Sequence, residues 1–444
     1  MDMAKIANYS SNLQATCVKN DTIDDALFEQ YGVNRGLRDL NGKGVLTGLT
    51  RISKIVSFNS DESGKQVPCP GQLWYRGYNI KTLISELGEN EYGFEKTAYL
   101  LLFGEKPTES QLLEFQDILD ECRSLPTNFT RDVIMKAPSK DIMNSITRSV
   151  LTLASYDEIS TNTQLENSIK QCIQLIAQYP MLSVYSYHAY NHYENDDSMY
   201  IHRPRKGRST AENFLAMLRP DQKYTALEAK VLDVALMLHM EHGGGNNSTF
   251  TTRVVTSSGS DTYSAMAAAM SSLKGPKHGG ANIKVVQMMD DLKNHVSDWN
   301  DRGAIKDYLM KILQKDAFDK SGLIYGMGHA VYSVSDPREE VLKSFVEALS
   351  EEKGMQKDYM LYKNVEELAP EAIAETRKIF KGVSPNVDFY SGLVYRMLGI
   401  PSELFTPLFA TARIVGWSAH RIEELIGMNK IIRPAYKSVM EEIE

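Results

Sequence analysis

The chain has 444 residues, of which 42% are hydrophobic and 24% charged. That is the make-up of a globular protein with an ample core, and it excludes a collagen-like chain, low-complexity disorder and a disulfide-stapled mini-scaffold. Lys and Arg number 49 against 57 Asp and Glu, a net charge of -8. A globally basic nucleic-acid binder is thereby excluded, whereas a positive pocket for an anionic substrate is not.

The N-terminus, MDMAKIANYSSN, has no apolar h-region, so no secretory signal is expected; with Asp2 and no arginine it reads as a poor transit peptide. Ile52 to Phe58 and Leu73 to Arg76 read as two short strands, joined as a hairpin by the polar stretch 59–71. Beyond them helical periodicity dominates. From Thr225 to His239, Leu227, Val231, Val234, Ala235 and Leu238 share one stripe; Thr225 and Glu228 have capping-box spacing, and Gly243 to Gly245 stop the helix. From Ala281 to Val296, Val285, Met288, Met289, Leu292 and Val296 form an apolar face. Similar patterns lie near 83–103, 109–123, 165–178, 261–273, 303–314, 337–350, 366–380 and 403–427. The length suggests two or three domains, and the fold class is all-α with one minor β element. No internal repeat is visible, and no apolar run approaches the ~18 residues of a membrane span. Cys17, Cys69, Cys122 and Cys172 form no C-x-x-C pair, so reduced thiols and a cytoplasmic location are expected. The one dense basic run, His202-Arg-Pro-Arg-Lys-Gly-Arg208, reads as an exposed loop or a phosphate contact.

Four histidines sit in glycine-rich stretches: His239 and His242 in HMEHGGGNNS, His278 in GPKHGGAN and His329 in GMGHAVY. Glycine removes side-chain bulk and permits close approach by a ligand. A single such histidine is usually a core residue, but three such loops in one chain point to a site. HMEH is not H-E-x-x-H and no third ligand has motif spacing, so no metal is expected. GPKHGG lacks the G-K-[ST] of a phosphate loop, and GMGHAV lacks the third glycine of a dinucleotide fingerprint. His278 lies just before a helix starting near Ala281, where the positive end of the dipole disfavours imidazolium. A neutral imidazole there can donate a hydrogen bond to a developing oxyanion. Asp388, in SPNVD at the start of a helix, reads as a helix-start carboxylate or as a general base. Arg338, Arg413 and Arg433 stand in apolar or Pro-punctuated settings; they suit a dicarboxylate substrate or, in the plainer reading, internal salt bridges.

Together these motifs, with FATARIVGWSAHRIEE and IIRP, resemble the citrate synthase family; LWYRGYNI and FEKTAYLLLFGEKPT resemble its N-terminal region, and the likeness spans about residues 45–440. The resemblance implies a two-domain, mostly helical homodimer. The large domain would comprise 1–281 and 399–444, and the small domain, 282–398, would close over the substrates. It implies condensation of acetyl-CoA with oxaloacetate and water to citrate and CoA, with no tightly bound cofactor and no nucleic-acid or membrane partner. His278 would bond the thioester oxygen as it becomes an enolate, Asp388 would take the methyl proton, and His329 would protonate the ketone. His242, Arg338, Arg413 and Arg433 would hold oxaloacetate, Arg433 reaching across the dimer. Leu323, Ile324, Gly326 and Gly328 would line the coenzyme A recess. Ser333 departs from the pattern, standing where many members carry a basic residue; Arg205, Lys206 and Lys277 are the substitutes considered for phosphate contacts. The N-terminal region does not resemble the β-rich domain of the hexameric, NADH-inhibited class, so a plain dimer without NADH regulation is expected. The rivals are 2-methylcitrate synthase, a citrate-cleaving lyase module, and an inactive helical binding protein on the same fold.

Overall fold

The structure, a computed structural model, describes residues 2–39, 44–88, 91, 93–328, 331–377, 383–427 and 430–440. It divides into two units, residues 1–49 and 50–444. In the first, α1 (Met3–Asp21) is started by Asp2, whose side chain accepts from Lys5 N, and has no buried residue; α2 (Asp25–Gln30) is capped by Asp24.

The second unit opens with an antiparallel sheet of order β1 (Ser53–Ser60), β2 (Gln66–Tyr75), β3 (Tyr78–Asn79). The expected hairpin is there, but its turn is shorter than 59–71: Asp61 accepts from the backbone N–H groups of Ser63 and Lys65 at 2.9 Å each and closes the chain reversal at once. The pairing register shifts between Val56 and Phe58.

Helices make up most of the rest. They are α3 (Ile80–Ser85), α4 (Gly93–Phe103), α5 (Glu109–Cys122), α6 (Ile142–Leu153), α7 (Leu165–Asn195), α8 (Thr210–Leu218), α9 (Ala226–His239) and α10 (Asn247–Ser257). After them come α11 (Thr262–Leu273), α12 (Ala281–His295), α13 (Arg302–Leu313), α14 (Pro337–Lys353), α15 (Gln356–Arg377), α16 (Val387–Met397) and α17 (Phe405–Gly427). The expected helix 83–103 is two helices. Asp233 of α9 accepts from Gly93 N (3.1 Å) and Phe94 N (3.0 Å), so a distant carboxylate starts α4 afresh. The expected helix 165–178 runs on to Asn195 through Pro180. Every side chain from Leu175 to Ser186 is buried, and that burial outweighs the one backbone bond that Pro180 cannot donate. The capping box of Thr225 and Glu228 forms as the sequence indicates.

α17, buried from Phe405 to Ile422 but for Phe409, packs on α7, α9, α10 and α4 and forms the centre of the unit. It carries Arg413, Trp417 and His420 inward. Among the described residues no helix is long and apolar enough to cross a membrane.

Candidate active site

The site begins where α9 ends. Gly243, with φ +88, turns the chain out of the helix in a conformation that residues with a Cβ rarely adopt. The carbonyl of His239, one of the orphan acceptors of the helix end, takes a 2.7 Å hydrogen bond from Arg413 Nε. Gly416, one turn further along α17, permits this contact: a Cβ there would lie 2.2 Å from Met240 O.

Arg413 is 1% exposed, and its guanidinium lies over the Phe409 ring, 4.6 Å from the centroid. Its Nη1 is buried and has no hydrogen-bond partner among the described residues. Burial pulls this guanidinium down to about 10, against the pull of Glu241 in the other direction. A buried cation with an unsatisfied donor is costly unless an anion completes it.

Arg338 lies in the first turn of α14. Asp336 caps that helix and grips Arg338 twice, at Oδ1 from Nε (3.0 Å) and at Oδ2 from Nη2 (2.7 Å). The same carboxylate accepts from Val387 N at 3.2 Å and so ties the start of α14 to the start of α16. Asp388 sits in that first turn of α16, its N–H bonded to the cap residue Asn386 at 2.9 Å. Burial pushes the Asp388 carboxyl up to about 6, Asp336 pushes the same way, and Arg338 and Arg413 pull it down. Both arginines therefore act on the carboxylate that the sequence singled out.

His278 lies in the turn between α11 and α12, two residues before the Gly280 cap. Gly279 O accepts from Thr406 Oγ1 at 3.0 Å and fixes the turn against α17. Burial, seconded by Arg413, lowers the His278 imidazole to about 4, so it is neutral near pH 7, as its place before α12 suggested. Ser248 faces its Nε2 with the backbone N–H at 3.4 Å and the hydroxyl at 3.0 Å, and Trp417 Nε1 donates to that hydroxyl at 3.1 Å. A backbone N–H can only donate, so Nε2 accepts and Nδ1 carries the proton.

His242 is buried, its Nε2 3.2 Å from Tyr332 Oη. The segment carrying Gly326 and Gly328 is laid against the start of α16. Gly328 N donates to Ser384 O at 2.7 Å, and Asn386 donates to Gly326 O (2.9 Å) and, through Nδ2, to Gly328 O (2.8 Å). At Gly326 a Cβ would meet the Phe389 ring at 2.8 Å. Ile324 is buried and Leu323 exposed.

His278 and Arg413 both lie against the Phe409 ring, at 6.4 Å and 4.6 Å from its centroid, Arg413 and Arg338 both act on the Asp388 carboxyl, and His242 is joined to Tyr332, a neighbour of Arg338 and Asp336. His329 lies outside the described residues. Arg433 is exposed in the segment 430–440, and among the described residues no hydrogen bond links it to the cluster. Of the basic loop, Lys206 pairs with Glu121 and Arg205 donates to Gln222 at 3.0 Å. Ser333 Oγ is buried and has no hydrogen-bond partner among the described residues. No group of three or more His, Cys, Asp or Glu among the described residues is placed to hold a metal ion.

Sequence reasoning missed Asp336, Tyr332, Ser248, Trp417, Glu241 and His420. Asp336 carried a signal, since an acidic residue just before Pro337 is a helix start. Trp417 and His420 lie four and seven residues after Arg413, on one face of α17. Ser248 carried none.

Chemically, the cluster holds a carboxylate poised near neutrality, a neutral imidazole with a proton to donate, and two buried guanidinium groups. It can remove a proton beside a carbonyl and hold carboxylates.

The sequence profile described as "Citrate synthase, C-terminal domain" matches residues 39–435. The citrate synthase of Haloferax volcanii is 35% identical over 369 residues, 82% of this chain and 88% of that protein. The 2-methylcitrate synthase of Shewanella oneidensis is 34% identical over 368 residues, 82% of this chain and 87% of that protein. Among solved structures, the ternary complex of carboxymethyl coenzyme A and oxaloacetate with citrate synthase from Thermoplasma acidophilum matches with a TM-score of 0.73 at 26% identity, over 92% of this chain and 97% of that one. The chain belongs to the citrate synthase family.

Proposed function

We propose that this chain condenses acetyl-CoA with oxaloacetate and water, giving citrate and CoA. The observation that carries the reading is Arg413: a buried guanidinium with an unpartnered Nη1, acting on both Asp388 and His278, requires an anion beside a proton-transfer pair.

A thioester α-proton is weakly acidic, so a carboxylate needs help to remove it. Asp388 takes the proton from the methyl group. The C–H electron pair moves into the thioester, and negative charge grows on its oxygen, where the Nδ1–H of His278 meets it. Such preorganised donors are worth about 3–4 kcal/mol. A neutral imidazole suits this better than a cation, since it stabilises the enolate by a hydrogen bond without handing over its proton. The enolate carbon then attacks the ketone carbon of oxaloacetate, and the ketone oxygen takes its proton from His329. Water cleaves the thioester and CoA leaves as the thiol.

His242, Arg338 and Arg413 hold the dicarboxylate, with Arg433 supplied by the other subunit of a homodimer. Leu323, Ile324, Gly326 and Gly328 line the coenzyme A recess, and residues 282–398 move as the closing domain. The reading places this activity in the cytoplasm. The acyl chain is the open choice, because relatives of both names match about equally and one methylene changes binding by only ~1–3 kcal/mol.

The test is thiol release from acetyl-CoA and from propionyl-CoA, each with and without oxaloacetate. Release that depends strictly on oxaloacetate is expected, and the ratio of the two rates assigns the acyl group. Folded protein that releases no thiol from either donor contradicts the proposal and leaves a binding protein on this fold.

A further inference from the structure

One buried polar assembly beside the site is not used by the chemistry above. Glu241 and His420 are both 0% exposed, and His420 Nε2 lies 2.9 Å from Glu241 Oε1. On its other side, His420 Nδ1 faces Arg253, at 3.1 Å from Nε and 2.7 Å from Nη2. Arginine has only donors, so Nδ1 accepts and Nε2–H donates to Glu241. Arg253 is held in turn by Glu424, at 2.9 Å from Nη1, and by Glu423. A directed chain therefore runs from the end of α17 through α10 and back across α17 to Glu241.

What Glu241 does with its carboxylate gives the chain a purpose. Oε1 accepts from Gly243 N at 2.6 Å, so the side chain closes a small ring across His242, the residue between. Ser53 Oγ of β1 bonds the same oxygen at 2.8 Å, and Tyr75 Oη of β2 donates to the Glu241 carbonyl at 2.9 Å. The turn that carries His242 is thus pinned by three separate elements. His420 and Arg413 share α17, and Arg413 holds the carbonyl of His239 at the other end of the same turn.

We propose that Glu241, held by the His420–Arg253 relay, is a positioning residue that sets His242 and Arg413 for the dicarboxylate. It touches no substrate and acts through the turn 239–243. The inference rests on the oxaloacetate reading above.

The test is calorimetric titration of the full chain with oxaloacetate, alongside acyl-CoA KM from thiol release. Glu241→Ala and His420→Phe are expected to weaken oxaloacetate binding about tenfold or more, the size of one lost charged hydrogen bond, while acyl-CoA KM stays within about twofold. Glu241→Gln and His420→Gln keep an acceptor for Gly243 and a donor for Glu241 respectively, and are expected to bind within about threefold of wild type. A role in stability alone lowers the melting temperature without this split. If Glu241→Ala binds as tightly as wild type, or if the glutamine variants are as weak as Glu241→Ala and His420→Phe, the inference is overturned. Should Glu241→Ala not fold, the contrast between His420→Gln and His420→Phe decides it. Wild-type protein that neither binds oxaloacetate nor releases thiol overturns the functional reading instead.

Discussion

Replacing Asp388 with Asn is expected to lower the oxaloacetate-dependent rate of thiol release by about a thousandfold, within the range that a positioned general base supplies. Asparagine keeps the size and the helix-start geometry, and its N–H still reaches the Asn386 cap. Oxaloacetate affinity, read by calorimetry, should therefore change by less than about twofold, because the arginines that hold it are untouched. The pH profile gives a second check. Burial pushes the Asp388 carboxyl up to about 6 despite two neighbouring arginines. A base works only when deprotonated, so wild-type activity is present above that value and falls as the pH drops through it. An unperturbed carboxylate would place this limb near ~4. The residual activity of Asp388→Asn should lack the limb. A variant that turns over at the wild-type rate contradicts the assignment.

Arg413→Leu carries the next largest effect. It is expected to raise the oxaloacetate KM by about 100-fold or more, since breaking a buried charge pair costs ~2–5 kcal/mol. The effect on stability should run the other way from intuition. In the free protein the guanidinium is buried with Nη1 unpartnered, so removing it relieves a cost, even though the bond to the His239 carbonyl is lost. The melting temperature without ligand should be unchanged or higher, and the rise on adding oxaloacetate should vanish. A variant with wild-type oxaloacetate KM would show that Arg413 is a structural arginine.

How much of this was legible in the sequence depended on the range of the interactions concerned. The Thr225–Glu228 cap and the helix after His278 were legible, because each is decided within a few residues. The break between α3 and α4 was not, because the carboxylate that restarts the helix comes from Asp233, 139 residues after Phe94. The run of α7 through Pro180 was hidden for a similar reason: what overrides the proline is burial on all sides. At the site, His278, Asp388, Arg338 and Arg413 could be named from residue type and setting. The groups that orient them could not be, since Ser248, Trp417 and His420 become partners only once α10 and α17 pack together. The helix dipole suggested a neutral His278; the structure adds burial and Arg413 as the main causes.

The central claim is that Asp388 and His278 enolise an acyl thioester beside a filled carboxylate clamp. Deuterium uptake into the methyl group of acetyl-CoA in heavy water, with malate in place of oxaloacetate, measures that step alone, because malate offers both carboxylates and no ketone to attack. The account predicts uptake with wild-type protein and none above background with Asp388→Asn. Equal uptake by the two proteins, or none by a wild-type protein that nonetheless condenses acetyl-CoA with oxaloacetate, would contradict it.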